Sequence, residues 1–335
     1  LVKGAVAIAN KLKIPTIIVG LTIVAFGTSA PEFVVSIKAA LNNAAGISLG
    51  NIIGSNTANI LLILGITALI SPIKCRRRIF LRDYKFLLAV SVIFALFAFT
   101  GTFVRWHGFV LLVMLVWFIY HNYKNTKQED LAEDASSPIA DKNWLYVLFL
   151  TLGGLVGILY GAETLVKGAV QLARILGVSE ETIGLTIIAV GTSLPELATT
   201  VLATIRKQTG VALGNIVGSN IWNIVFIMGF TSTITEVNVP SQFIKYDLWV
   251  MLFATIILYP AMMTKARLTR LEGFLFIVAC TSYVENYKIY TNQSVPLTYL
   301  CTAEVNKYFR KKGLTRVMFN ELAKVIKPNQ HFFST

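Results

Sequence analysis

Gly27-Thr28-Ser29-Ala30-Pro31-Glu32 recurs as Gly191-Thr192-Ser193-Leu194-Pro195-Glu196, and Gly50-Asn51-Ile52-Ile53-Gly54-Ser55-Asn56 with Asn59 recurs as Gly214-Asn215-Ile216-Val217-Gly218-Ser219-Asn220 with Asn223. One offset, 164 residues, relates both pairs. At that offset the opening Leu1 to Val6 meets an identical Leu165 to Val170, and roughly half of the first 70 positions are the same. The chain is a duplication. Both blocks lie inside long apolar runs in a chain that is 55% hydrophobic, with mean hydropathy +0.66. Only 14% of its residues are charged, against about 25% in soluble domains, too few to coat a globule of this size. A water-soluble fold is excluded. Cys75, Cys280 and Cys301 are odd in number and far apart, so they build no disulfide framework, and no Cys/His cluster has zinc spacing.

Working outward from the repeats, nine complete apolar runs and one partial one follow each other, each complete one able to cross about 30 Å of hydrocarbon. The partial run is Leu1 to Ala9. The others are Ile14 to Leu41, Gly46 to Ile70, Tyr84 to Gly101, Phe103 to Tyr120, Trp144 to Leu176, Thr182 to Ile205, Val211 to Ile234, Leu248 to Met263 and Leu271 to Tyr290. The chain has net charge +13, and alternate loops carry positive charge: Lys11 and Lys13; Lys74, Arg76, Arg77, Arg78 and Arg82; Lys124, Lys127 and Lys142; Arg206 and Lys207; Lys265, Arg267 and Arg270; the loops between them hold little beyond Arg105, Arg174 and Lys245. The membrane charge bias places these loops in the cytoplasm, so the charge reports topology and not a nucleic-acid partner. The chain divides into a first half, 1–120, a polar, proline-containing cytoplasmic linker, 121–143, a second half, 144–290, and a basic tail, 291–335. An odd number of crossings separates each element from its copy, which inverts one half relative to the other. Inverted repeats mark alternating-access transporters, with the substrate site at the midplane where the copies meet. The second copy also carries Trp144 to Glu163, whose partners would precede Leu1, so the first helix is expected to be incomplete.

Glu32 and Glu196 are the decisive residues, because a carboxylate at mid-membrane is costly unless a cation, proton or partner compensates it. The proline before each removes a backbone N–H and frees upstream carbonyls. At helical spacing Ala25, Thr28, Ser29 and Glu32 share a face that offers carbonyl, hydroxyl and carboxylate oxygens. Ser55 and Asn59 form a similar stripe, repeated by Ser219 and Asn223. These are hard oxygen donors, suited to Ca²⁺ or Na⁺ and not to transition metals. Two carboxylates carry −2, which one Ca²⁺, several Na⁺ or two protons neutralise: the arithmetic of an antiporter. Glycines such as Gly50, Gly54 and Gly65 read as close-packing positions. Asn51 and Asn215 read as capping or interhelical residues outside the ion's shell. Glu163 and Lys167 read as a neutralising i,i+4 pair, and His107 and His121 as interfacial residues.

These motifs resemble the cation/Ca²⁺ exchanger superfamily, the sodium/calcium exchanger-like antiporters, whose two alpha repeats carry GTSxPE and GNxxGSNxxN. The resemblance spans residues 1 to about 290 and implies an all-α polytopic membrane protein of ten helices in two inverted sets of five. It implies Ca²⁺/Na⁺ antiport, and no enzymatic activity. In that family the Glu of each GTSxPE is the central cation ligand, which falls here on Glu32 and Glu196. Thr28, Ser29, Thr192 and Ser193 would add hydroxyl or carbonyl oxygens, as would the carbonyls of Ala25 and Ala189; Ser55, Asn59, Ser219 and Asn223 would complete the side sites. Some members carry Asp where this chain has Asn59 or Asn223. The first and sixth helices would slide to switch access. H⁺/Ca²⁺ or K⁺-dependent exchange and a cation channel are the alternatives, the inverted repeat disfavouring a channel. The expected partners are the bilayer and the transported ions, Ca²⁺ with Na⁺ or H⁺; no resident cofactor is expected, a monomer is compatible with the sequence, and a bacterial inner membrane is the expected location.

After Tyr290 the chain changes character. Glu304 to Ala323, containing Arg310-Lys311-Lys312-Gly313-Leu314-Thr315, resembles the strand, pyrophosphate turn and helix of acetyl-CoA-dependent N-acetyltransferases. Some 45 residues cannot supply that fold's core, so a basic tail is the expectation and an acetyltransferase fragment the remote alternative.

Overall fold

The computed structural model describes residues 1–124, 142–175 and 189–291. Most of the linker, residues 176–188 within the expected Thr182 to Ile205 run and the tail after Thr291 lie outside these residues. Helices account for nearly all of the rest. In the first half they are α1 (Val2–Leu12), α2 (Thr16–Thr28), α3 (Ala30–Leu41), α4 (Ala45–Ile70), α5 (Arg77–Phe99) and α6 (Arg105–Lys124). In the second half they are α7 (Trp144–Ile175), α8 (Ala189–Thr192), α9 (Leu194–Ile205), α10 (Thr209–Ile234), α11 (Phe243–Thr264) and α12 (Arg270–Thr291). Among the described residues four helices are long and apolar enough to cross a membrane, or five if the bent pair α2 and α3 is one span. At 1.5 Å per residue the 23 residues of α5 and 20 of α6 also measure about 30 Å; the charges of α6 lie at its ends, and those of α5 run from Arg77 to Lys85.

The helices at the centre are the two carrying the Gly-Asn motif. Of their apolar windows, 83% of α4 and 94% of α10 are buried, against 11% for α7, which faces outward. α7 runs antiparallel to α1: a side chain at Gly154 would meet Leu1, one at Gly4 would meet Thr151, and Lys11 lies over the Trp144 ring. α4 and α10 each contain a π-helical turn at the same place in the repeat, Asn59–Leu64 and Trp222–Met228. Such turns widen the backbone by one residue and cluster at functional sites. Each ends at a glycine where another helix crosses closely. A Cβ at Gly65 would lie 3.0 Å from the Gly273 carbonyl of α12, and at Gly108 of α6 one would lie 2.5 Å from the carbonyl of Gly229.

Four two-residue strands close the ends. β1 (Ile73–Lys74) pairs antiparallel with β4 (Arg267–Leu268), and β2 (Thr102–Phe103) with β3 (Val237–Asn238). Each ladder joins one half to the other, and each joins loops that the charge bias puts on the same side of the membrane. Cys75 extends the first ladder, its N–H donating to the Ala266 carbonyl at 2.9 Å. Burial pushes its thiol up to about 11, against the opposing pull of Arg77. A raised thiol is protonated at neutral pH. In a chain with Cys280 and Cys301 replaced by serine, maleimide labelling of Cys75 at pH 7.5 is therefore expected to run about three hundredfold slower than an ordinary cysteine near 8.5. Stopped alkylation time courses should show the rate climbing about tenfold per pH unit up to pH 10.

His107 departs from its interfacial reading: it is 2% exposed, packs on Phe97 and Trp106, and accepts the Val104 N–H on Nδ1. The Glu163–Lys167 pair forms as read, at 2.6 Å on an exposed face.

Candidate cation-binding site

Each proline sits in the first turn of a new helix and does not interrupt one. α2 ends at Thr28, Ser29 leaves helical geometry at φ −82°, ψ 7°, and α3 starts at Ala30 bent by 48°. Ser193 repeats this at φ −88°, ψ 3° ahead of α9. A proline in the first turn costs no hydrogen bond of its own helix, and the break brings the glutamate to the first turn of α3 or α9, where the helix dipole favours negative charge.

Both serines stand where a side chain would cap the new helix, and neither caps it. They reach across the molecule instead. Ser29 Oγ donates to Glu196 Oε1 at 3.1 Å, and Ser193 Oγ donates to Glu32 Oε1 at 3.4 Å. Ser219 Oγ adds a second donor to Glu196 Oε1 at 3.4 Å. Each carboxylate is thus held by the opposite half, and both glutamates are 1% exposed. Thr192 is buried beside Ser193, and Ser55 is buried on α4 where Ser219 stands on α10. The side chain of Ala189 is outside the description. The Ala25 carbonyl accepts the Ser29 N–H at 2.9 Å and the Thr28 hydroxyl at 3.3 Å. The carbonyl that Pro31 leaves without its usual donor is that of Gly27, four residues earlier.

Asn51 and Asn215 tie the breaks to the central helices. Asn51 Nδ2 donates to the Glu32 carbonyl at 3.0 Å and to Ser36 at 2.8 Å; Asn215 Nδ2 donates to the Glu196 carbonyl at 3.3 Å and to Thr200 at 3.0 Å. Thr28 Oγ1 lies 3.1 Å from Asn215 Oδ1.

A second tie was not read from the sequence. Asn56 Nδ2 donates to the Asn220 carbonyl and Asn220 Nδ2 to the Asn56 carbonyl, at 3.3 and 3.2 Å. Asn59 Nδ2 donates to Asn220 Oδ1 and Asn223 Nδ2 to Asn56 Oδ1, at 2.9 and 3.0 Å. The four amides close a ring between α4 and α10 that fixes which way Asn59 and Asn223 turn. Their amide nitrogens point into the ring, and their oxygens are left over. Among the described residues, Asn59 Oδ1, Asn223 Oδ1, Glu32 Oε2 and Glu196 Oε2 are all buried without a hydrogen-bond partner. Asn56→Ala is expected to release Asn223 from this ring. A buried donor left unmet costs about 1–3 kcal/mol, so thermal unfolding in detergent should shift down by several degrees, with weaker Ca²⁺ protection than in a Thr57→Ala control.

The sodium/calcium exchanger protein family model matches residues 1–124 and 146–284, both halves of the described fold. The chain belongs to this family. Relatives of the exchanger include the putative antiporter CaxA of Alkalimonas amylolytica, 36% identical over 84% of this chain and 91% of that protein. The sodium/calcium exchanger MaX1 of Methanosarcina acetivorans is 32% identical over 84% and 92%. Inner membrane protein YrbG of Escherichia coli K12 is 35% identical over 77% and 81%. Among solved structures, the sodium-calcium exchanger NCX_Mj soaked with zero Na⁺ and Ca²⁺ superposes with TM-score 0.75 and 31% identity, covering 85% of this chain and 92% of that one. The exchanger is an integral, polytopic helical membrane protein of a transporter family, as the repeats and apolar runs predict.

Proposed function

We propose that this exchanger moves Ca²⁺ against Na⁺ by alternating access, through a site formed by Glu32 and Glu196 with Thr28, Ser29, Thr192, Ser193, Ser55, Asn59, Ser219, Asn223 and the carbonyls of Ala25 and Ala189. The observation that carries this reading is the set of four buried acceptor oxygens with no donor, two from each half and all on residues of the repeated motifs. Buried acceptors in a packed interior are normally satisfied. Hard oxygens held without donors fit a hard cation, and Ca²⁺ takes about six to eight oxygens, a number the surrounding hydroxyls and carbonyls can complete. The two glutamates match its charge.

Both side-site residues are amides, so −2 is the whole formal charge offered by these side chains. Two protons balance it as well as sodium ions do, and H⁺ is the alternative counter-ion. The names of MaX1 and NCX_Mj favour Na⁺, and that of YrbG supports a bacterial inner membrane. The test is ⁴⁵Ca²⁺ uptake into proteoliposomes under an outward Na⁺ gradient and, separately, a pH gradient. Na⁺-driven uptake is expected. Uptake driven only by the pH gradient would replace Na⁺ by H⁺, and flux that needs no counter-ion would overturn antiport in favour of a channel.

A further inference from the structure

On the face that the charge bias assigns to the cytoplasm, the protein has a recess of about 620 Å³, with neither Glu32 nor Glu196 in its lining. Five basic side chains line it: Lys74 and Arg76 from the first half, and Lys207, Lys265 and Arg267 from the second. Among the described residues no Asp or Glu lines it. Its apolar floor is Ile17, Ile79 and Leu213, and the long helix α10 opens into it at Gln208 and Thr209, where Gln208 makes no side-chain cap. First-turn N–H groups there add a partial positive charge to the five full ones.

Topology alone does not account for this arrangement. Lys11, Lys13, Arg77, Arg78 and Arg206 lie on the same face outside the recess and serve the charge bias as well. The repeat supplies an internal control in the sequence, because each lining position has a counterpart 164 residues away in the other copy. The counterparts of the five basic residues are Asn43, Gly101, Phe103, Asn238 and Pro240, none of them charged, and those of Thr16 and Ile17 are the acidic Glu180 and Glu181. The sequence repeats; the cations do not. A cationic recess also repels Ca²⁺ and Na⁺, which removes it from the ion path.

We propose that this recess is a binding site for a phosphate-bearing anion, either the headgroup of an anionic phospholipid or a free soluble phosphate compound. Basic pockets between helices at the cytoplasmic membrane surface bind such groups by charge and by amide donors together. The site spans both halves through the β1–β4 ladder and holds the starts of α2 and α10, which lead to Ser29 and to Ser219. An anion seated there braces both halves on one side only.

The test measures thermal unfolding of the purified full chain. One arm adds inorganic pyrophosphate in neutral detergent; the other compares nanodiscs of neutral phospholipid with nanodiscs containing 30% anionic phospholipid. Lys207→Gln with Arg267→Gln is compared with Lys13→Gln with Arg78→Gln, which removes equal charge outside the recess. The expected result is a rise of several degrees in the wild type, kept in the Lys13/Arg78 variant and lost in the Lys207/Arg267 variant, with at least tenfold weaker binding by titration. A rise with pyrophosphate alone names a soluble anion; a rise in anionic nanodiscs names a lipid. No rise with either probe, or equal loss in both variants, would overturn the proposal. If the recess double variant does not purify, Lys265→Gln, on the exposed hairpin, makes the same comparison.

Discussion

Glu196→Gln, and separately Glu32→Gln, is expected to abolish gradient-driven Ca²⁺ uptake while leaving the fold intact. Glutamine keeps the shape and one acceptor oxygen, so Ser29 or Ser193 retains a partner across the interface. What disappears is one of the two charges facing the ion, and an amide N–H₂ takes the place of an acceptor that the structure holds open. Breaking a buried charge pair by removing one member costs roughly 3–5 kcal/mol, at least about a hundredfold in affinity. The two readouts should move in opposite directions. In Ca²⁺-free detergent the variant should unfold no earlier than wild type, because a buried charge has been removed, whereas the Ca²⁺-induced rise in unfolding temperature should vanish. Uptake above a tenth of wild type in either variant would sink the paired-carboxylate site.

The second large effect is structural. Gly214→Leu is expected to leave little or no monodisperse protein after extraction. A Cβ at this position would sit 2.3 Å from the Ile17 carbonyl and 2.9 Å from the Cα of Gly20, both backbone atoms of α2. Backbone cannot rotate away as a side chain does, so α2 and α10 must separate. Within a bilayer the attraction between helices is close packing itself, and overpacking costs about 1–3 kcal/mol even where neighbours can shift. Gly153→Leu is the matched control: it lies on the exposed face of α7, with no described atom within 4 Å of its Cβ. Size-exclusion profiles should show that variant as wild type.

The duplicated motifs made the membrane class, the inversion and the glutamates legible before any coordinates, because carboxylates inside apolar runs have few explanations. Asn56 and Asn220 were in plain view in the same motif and went without a role. The i,i+4 stripe of Ser55 and Asn59 took precedence over the i,i+3 relation of Asn56 and Asn59, which equally shares a face. What could not be read was that each amide pairs with the other half, since residues 164 apart meet only through tertiary packing. The π-helical turns were invisible for a related reason: nothing local in Asn59–Leu64 or Trp222–Met228 distinguishes them from ordinary helix. The indole of Trp222 donating to the Leu21 carbonyl at 2.9 Å belongs with them. The proline reading needed adjustment too, since the break falls at Ser29 and Ser193 and turns two would-be caps into cross-molecule donors.

The crosswise serine bonds bear on leakage. Without a cation, two carboxylate oxygens and two amide oxygens are buried with no donor on any of them. In the alternating access proposed above, sliding the first and sixth helices across the vacant site closes apolar surface over uncompensated charge where water helps least. On that proposal the empty carrier has a higher barrier to turning over than the loaded one. A return trip without a passenger is the slow step, and a passenger going each way is what strict one-for-another exchange requires.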